Sequence, residues 1–196
     1  PDEGEIEVGE TVRVGYFCQE TPVMDPAVRV IDYMKEVGNY IQTAGGTLTA
    51  SQLLEQFLFE GDAQYRPIGK LSGGERRRLF LLSVLAAAPN VLLLDEPTND
   101  LDIQTLTILE DYLDHFPGAV IAVSHDRYFL DRVARRVFAV EESGAVRVYP
   151  GGYTDYLDQR EAARKASAPA KTAEGAKKTR PAGPQKRKFS YKEQRE

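Results

Sequence analysis

The stretch Leu71–Asp102, LSGGERRRLFLLSVLAAAPNVLLLDEPTNDLD, constrains this chain more than any other. It sets a Ser-Gly-Gly turn ahead of an apolar helix, then a strand, Val91–Leu94, that is apolar at every position before Asp95 and Glu96. A strand with no polar alternation belongs in a sheet buried on both faces, which is the habit of parallel α/β sheets. A Ser-Gly-Gly turn entering a helix offers backbone N–H groups and the positive end of the helix dipole to an anion. The strand lifts two carboxylates to the lip of that sheet, where ligands of such folds gather. An anion cradle followed by a carboxylate pair is equipment for phosphoryl transfer. The glycine-rich phosphate loop of that chemistry, GxxxxGK followed by Ser or Thr, occurs nowhere in the 196 residues.

Length suits one domain with an appendage. A hydrophobic content of 42% supports a packed core, and the apolar run Leu79–Ala88, broken by Ser83, is too short for a membrane span of about 20 residues. The opening PDEGEIEVGE is acidic and polar, unlike a signal peptide, and the single cysteine, Cys18, allows no internal disulfide. Both features fit a cytoplasmic setting. The net charge of −5 conceals a division: residues 161–196 hold eleven of the 25 Lys/Arg and four of the 30 Asp/Glu, leaving 14 and 26 to residues 1–160. An acidic domain with a basic arm results, and a polyanion is the usual partner of such an arm.

Residues 6–17 alternate in the strand manner around Gly9-Glu10, which predicts two short strands ending near Gln19. Pro26 suits a first helical turn, so a helix is expected from there to about Ile41, with Val30, Ile31, Met34 and Val37 on one face and a break at Ala44-Gly45-Gly46. Thr49-Ala50-Ser51-Gln52 has capping-box spacing and opens a second helix. Together these make a helical insert over about 26–69. Core α/β structure resumes with a helix over 73–87, strand 91–94, a helix over 103–115, strand 120–123 and a helix over 127–134. A hairpin of 137–140 with 146–149 follows, then a helix from Tyr153 to Arg164. Strands alternating with helices imply a mostly parallel sheet. The Ala/Lys/Pro/Gly composition from about Ala166 to Gln185 predicts disorder in a basic linker over 161–188, and within the closing KRKFSYKEQRE a charged helix is expected to start over 189–196.

Taken in order, these motifs resemble the ATP-binding cassette family. Leu71-Ser72-Gly73-Gly74-Glu75 is similar to the signature motif, Val91–Glu96 to the Walker B strand, Asn99-Asp100-Leu101-Asp102 to the D-loop and Ser124-His125-Asp126 to the switch histidine. Gln19, just past a strand, falls at the Q-loop position. The fold so implied for 1–160 is a partial nucleotide-binding domain of the ABC type lacking its Walker A loop, with ATP and Mg²⁺ as cofactors. The resemblance makes Asp95 and Gln19 metal ligands, Glu96 the general base and His125 the γ-phosphate sensor. Ser72, Gly73, Gly74 and Glu75 contact nucleotide held by an opposing cassette, and Asp102 lies at the nucleotide interface. Singly, each motif has a structural explanation: glycines for close packing, an ordinary turn at Asp-Glu-Pro-Thr, a capping histidine. Their joint order leaves those explanations little room. Cys18 reads as a small buried hydrophobe, His115 as a helix-end residue, and Arg76-Arg77-Arg78 as a solvated helix face.

DEPTNDLD, DRYFLDRV and YPGGYTDYL resemble the ABC-F group, and the basic tail resembles the entry to the C-terminal coiled coil of its Uup-like members. The resemblance implies the second cassette of a cytoplasmic ATPase acting on ribosomes as a translation factor, with links to RNA or DNA, and with the other cassette or a dimer mate as partner. The alternatives are a nucleic-acid-binding module that uses the cassette as scaffold, and the ATPase subunit of a membrane transporter.

Overall fold

The computed structural model describes residues 4–38, 40–43, 46–141 and 143–167. Three strands, β1 (Val14–Phe17), β4 (Val91–Asp95) and β5 (Ala119–Val123), form a parallel sheet in the order β1-β4-β5. Its register aligns Val14 with Val91 and Ala119, then Tyr16 with Leu93 and Ile121. All three strands therefore end at one edge, as parallel strands joined by crossovers must.

Between β1 and β4 lies the insert: α1 (Val30–Val37), an antiparallel hairpin of β2 (Tyr40–Thr43) and β3 (Gly46–Thr49), then α2 (Ala50–Gln56) and two 3-10 turns at Gly61–Tyr65 and Ile68–Lys70. The helix expected from Pro26 to Ile41 is shorter at both ends. Asp25 turns the chain instead, accepting from the Val28 amide with its carbonyl and from the Ala27 amide with its carboxylate. Gly38 ends α1, and the next residues are rich in β-branched side chains, so they pair as strands. Val30, Ile31 and Met34 are buried as the helical period requires, while Val37 is not. Thr49 closes both halves of its capping box with Gln52. Gln64, though buried, has its amide fully engaged: Nε2 donates to the Phe59 and Ser51 carbonyls and Oε1 accepts from the Ser51 hydroxyl.

Helix α3 (Gly73–Ala86) runs through the middle of the molecule. Leu79, Phe80, Leu81, Leu82 and Leu85 are all buried, so the helix is covered on most sides and needs no polar face. It seals one face of the sheet, where Phe17, Leu92 and Leu94 join the core. The opposite face is open: Val14, Tyr16, Ile121 and Val123 are 50%, 52%, 59% and 59% exposed. The apolar run 91–94 thus carries residues for two faces, of which one is covered among the described residues.

Beyond β4 come α4 (Ile103–Asp114), β5, α5 (Arg127–Val133), the hairpin β6 (Arg136–Val140) with β7 (Val146–Pro150), and α6 (Tyr153–Ser167). The Thr154 amide and hydroxyl both donate to Asp131, tying α6 to α5, and the Tyr149 and Tyr156 rings meet edge to face 5.0 Å apart. Of the two strands expected over 6–17, only β1 forms. Ile6 and Val8 are exposed, and a turn closed by the Val12 amide on the Gly9 carbonyl stands where pairing was expected. Alternation alone does not make a strand when no neighbour offers a ladder. Most of the linker over 161–188 and all of the helix over 189–196 lie outside the described residues; α6 itself continues through Ser167.

Candidate active site

Ser72 caps α3. Its hydroxyl accepts from the Glu75 amide at 3.2 Å, and the Glu75 carboxylate accepts from the Ser72 amide at 2.7 Å. The Ser72 amide, followed by its hydroxyl, holds the Glu75 carboxyl below the usual carboxylate range. These two side chains are therefore engaged with each other, as in any capping box. What remains at the helix end is the Gly73 and Gly74 backbone, whose N–H groups have no acceptor among the described residues. Packing does not explain the glycines. A Cβ at Gly73 would meet nothing within 4 Å, and one at Gly74 would make only ordinary contact with the Asp100 carbonyl at 3.6 Å.

Asp95 closes β4 and Glu96 follows it. The Glu96 backbone adopts φ +47°, a left-handed value that a non-glycine residue takes at a cost of about 1–3 kcal/mol. Its amide is anchored on the Val123 carbonyl at 2.8 Å. That twist turns the carboxylate toward the end of β5, where Glu96 Oε2 lies 2.7 Å from His125 Nδ1. The Glu96 side chain is 21% exposed and that of His125 73%, so the pair sits at a rim with the imidazole outermost. The His125 amide donates to the same carboxylate oxygen at 3.4 Å, so both contacts fall on Oε2. Ser124 and Asp126 fix the loop: the Ser124 hydroxyl accepts from the Asp126 amide and lies 3.4 Å from the Thr98 hydroxyl, while Asp126 caps α5 through the Tyr128 and Phe129 amides.

Gln19 is exposed two residues beyond β1, at the edge where β4 delivers Asp95. The sequence alone does not single out Tyr16, yet its hydroxyl reaches Asp95 at 3.5 Å; strand alternation puts it on the face that Asp95 shares. Asp102 caps α4, with its carboxylate accepting from the Thr105 amide and hydroxyl and from Arg78 Nη1 at 3.3 Å. Burial pushes the Asp102 carboxyl up, but those donors outweigh it and hold it below the usual range. No group of three or more metal-ligating side chains occurs among the described residues. Asp95 and Gln19 do supply hard oxygen donors, and Mg²⁺ commonly takes one or two carboxylates with the rest of its shell from phosphate and water.

The arginine run needs correction. Only Arg76 is solvated; Arg77 is 2% exposed, and the Arg78 side chain is largely covered between α3 and α4. Three consecutive helical residues span about 200° of arc and cannot share one face. Cys18 is half-buried with its thiol donating to the Glu20 carbonyl at 3.0 Å, and His115 caps the end of α4.

Residues 2–99 match the family described as ABC transporter. The chain is 52% identical over 200 residues to the uncharacterized ABC transporter ATP-binding protein YfmR of Bacillus subtilis, covering all of this chain and 31% of that protein. It is 39% identical to the ATP-binding protein Uup of Escherichia coli, again over its whole length and 31% of the relative. It is 40% identical over 156 residues to the energy-dependent translational throttle protein EttA of Escherichia coli, covering 80% of this chain and 28% of that one. The chain thus spans less than a third of these relatives. Among solved structures it is similar in fold to the archaeal ribosome recycling factor aABCE1 in complex with the stalk protein aP1. There the TM-score is 0.61 at 24% identity, over 83% of this chain and 32% of that one.

Proposed function

This chain belongs to the ABC transporter family of ATP-binding domains, and from that premise we propose that it supplies the hydrolytic half of a nucleotide site in a Uup-like ABC-F ATPase of the cytoplasm. The observation that carries the reading is the Glu96–His125 pair. A backbone-strained carboxylate, steadied on one oxygen by an imidazole at 2.7 Å, keeps its other oxygen for a water molecule. Glu96 takes the proton of that water as general base, and His125 stands on the γ-phosphate side of the pair. Asp95, aided by Gln19, would hold Mg²⁺, which supplies charge neutralisation at the phosphates. Gly73 and Gly74 offer their two free N–H groups, at a helix N-terminus with open space outside, to the phosphate of a nucleotide on an opposing cassette. Asp102 acts less directly, by fixing the start of α4 against Arg78.

The open apolar sheet face supports a second layer packing against this one. The relatives' names extend the reading to ribosomes: we infer that the intact protein associates with them as a translation factor, with an opposing cassette as its other partner.

Two measurements on the intact protein test this. Glu96→Gln is expected to lower kcat for ATP by about 10²-fold or more while nucleotide still binds, as loss of a general base does. Wild-type turnover by that variant would rule out the assigned chemistry. Co-sedimentation with ribosomes should increase with a non-hydrolysable ATP analogue or in Glu96→Gln; equal recovery with and without nucleotide would remove the ribosomal part alone.

A further inference from the structure

Arg77 poses a problem that packing does not solve. It sits on the second turn of α3, 2% exposed, with its guanidinium 3.9 Å over the Phe17 ring and Nη1 donating to the Cys18 carbonyl. Its Nε and Nη2 are buried without a hydrogen-bond partner among the described residues. Orphaned donors on a buried cation are costly, and an apolar side chain of similar volume commonly serves such a place as well or better. Leu or Met would cover Phe17. What neither would do is hold the Cys18 carbonyl, the last backbone group before Gln19.

That carbonyl matters because of where it lies. β1 ends at Phe17, and the chain from Cys18 to Asp25 has no regular element. The Gln19 side chain makes no hydrogen bond among the described residues, so its position depends on how the strand releases the chain. The neighbouring Cys18 thiol closes only a local contact, on Glu20. Arg77 is the grip from outside the loop, and it comes from the helix whose first turn carries Gly73 and Gly74.

We propose that Arg77 is the positioning residue of Gln19: by holding the Cys18 carbonyl it sets Gln19 beside Asp95, and it ties that loop mechanically to the turn that serves the opposing cassette's nucleotide. This rests on the ATPase reading given above. Arg77 touches neither nucleotide nor metal in this role. Its orphaned donors are the cost of keeping a fork where a methyl group would pack.

The test compares Arg77→Met and Arg77→Lys with wild type in the intact protein. Arg77→Met is expected to keep or raise Tm, to lower kcat for ATP at least about tenfold, and to leave KM within about threefold, because a misplaced Gln19 affects the reacting water more than nucleotide binding. Arg77→Lys keeps a donor and should recover part of kcat. Labelling of Cys18 by a thiol reagent, located by peptide mapping, should speed up in the order wild type, Lys, Met. Wild-type kcat in Arg77→Met, or a raised KM with kcat unchanged, would overturn the proposal. Should Arg77→Met fail to fold, Arg77→Lys decides by the same kcat-to-KM ratio. If the wild-type protein hydrolyses no ATP, the ATPase reading falls, while the Cys18 labelling still reports whether Arg77 holds the loop.

Discussion

The two faces of the three-stranded sheet are built from alternate residues of the same strands and have opposite fates. Phe17, Leu92 and Leu94 disappear under α3 and the insert, whereas Val14, Tyr16, Ile121 and Val123 stand half-open to solvent. Parallel sheets are ordinarily covered on both sides, because crossovers place layers on each. The residues of the open face are as apolar as those of the covered one, so these strands are made for a two-sided burial that the described residues achieve once. The same division runs through the site. The covered side contributes Arg77 and the capped end of α3; Asp95 and its Tyr16 contact belong to the open side.

The largest contrast is expected between neighbours on β4. Leu92→Ala should destabilise the 196-residue chain by about 2–5 kcal/mol in urea unfolding, the cost of a cavity at a fully buried leucine. Leu93→Ala, on the open face, should cost about 1 kcal/mol or less in the same chain. In the intact protein Leu93→Ala should approach the Leu92→Ala value; an unchanged small cost there would mean that face stays bare. Within the covered side, Gln64→Ala should cost about 1–3 kcal/mol, because it strands the Phe59 carbonyl and the Ser51 hydroxyl. At the head of α3, Ser72→Ala should cost about 1 kcal/mol of stability through loss of the cap. Gly73→Ala should cost none, since its Cβ meets open space, yet it should impair ATP turnover by the intact protein. Parallel losses of stability in both variants would make the turn a structural element only.

The smallest effect concerns α6 and acid. The Thr154 hydroxyl, followed by its amide, holds the Asp131 carboxyl below its ordinary 3.8. A carboxyl depressed by folding adds stability above that value and loses it as pH falls through the folded one. Docking of α6, followed by tyrosine fluorescence at the Tyr149–Tyr156 contact, should therefore weaken only below about pH 4. Asp131→Asn should show a weaker dock with no such acid step.

Much of this was legible in the residues. The capping box at Thr49 and the Ser-Gly-Gly turn at Ser72 mark helix starts correctly, because the side-chain bonds that close them are local and independent of tertiary context. The continuous apolar run ending in Asp95-Glu96 locates the central strand for a similar reason: one element of sequence, one element of structure. The failures are non-local. A turn at Gly9 replaces a strand because no ladder waits for Ile6 and Val8, and the hairpin at Tyr40–Thr49 replaces a helix end because its strands find each other. Arg77 reads as surface in the sequence, since nothing in a run of three arginines says which one the core will take. The Glu96–His125 pair joins residues 29 apart, and only the shared edge of β4 and β5 makes them neighbours.

Glu96 itself has a consequence for anyone who would engineer this domain. Its left-handed backbone is a conformation that glycine adopts freely, so Glu96→Gly should relax the turn and yield a sturdier protein that, on the proposed role of Glu96, lacks its general base. Selection for thermal tolerance alone would therefore push this position toward silence.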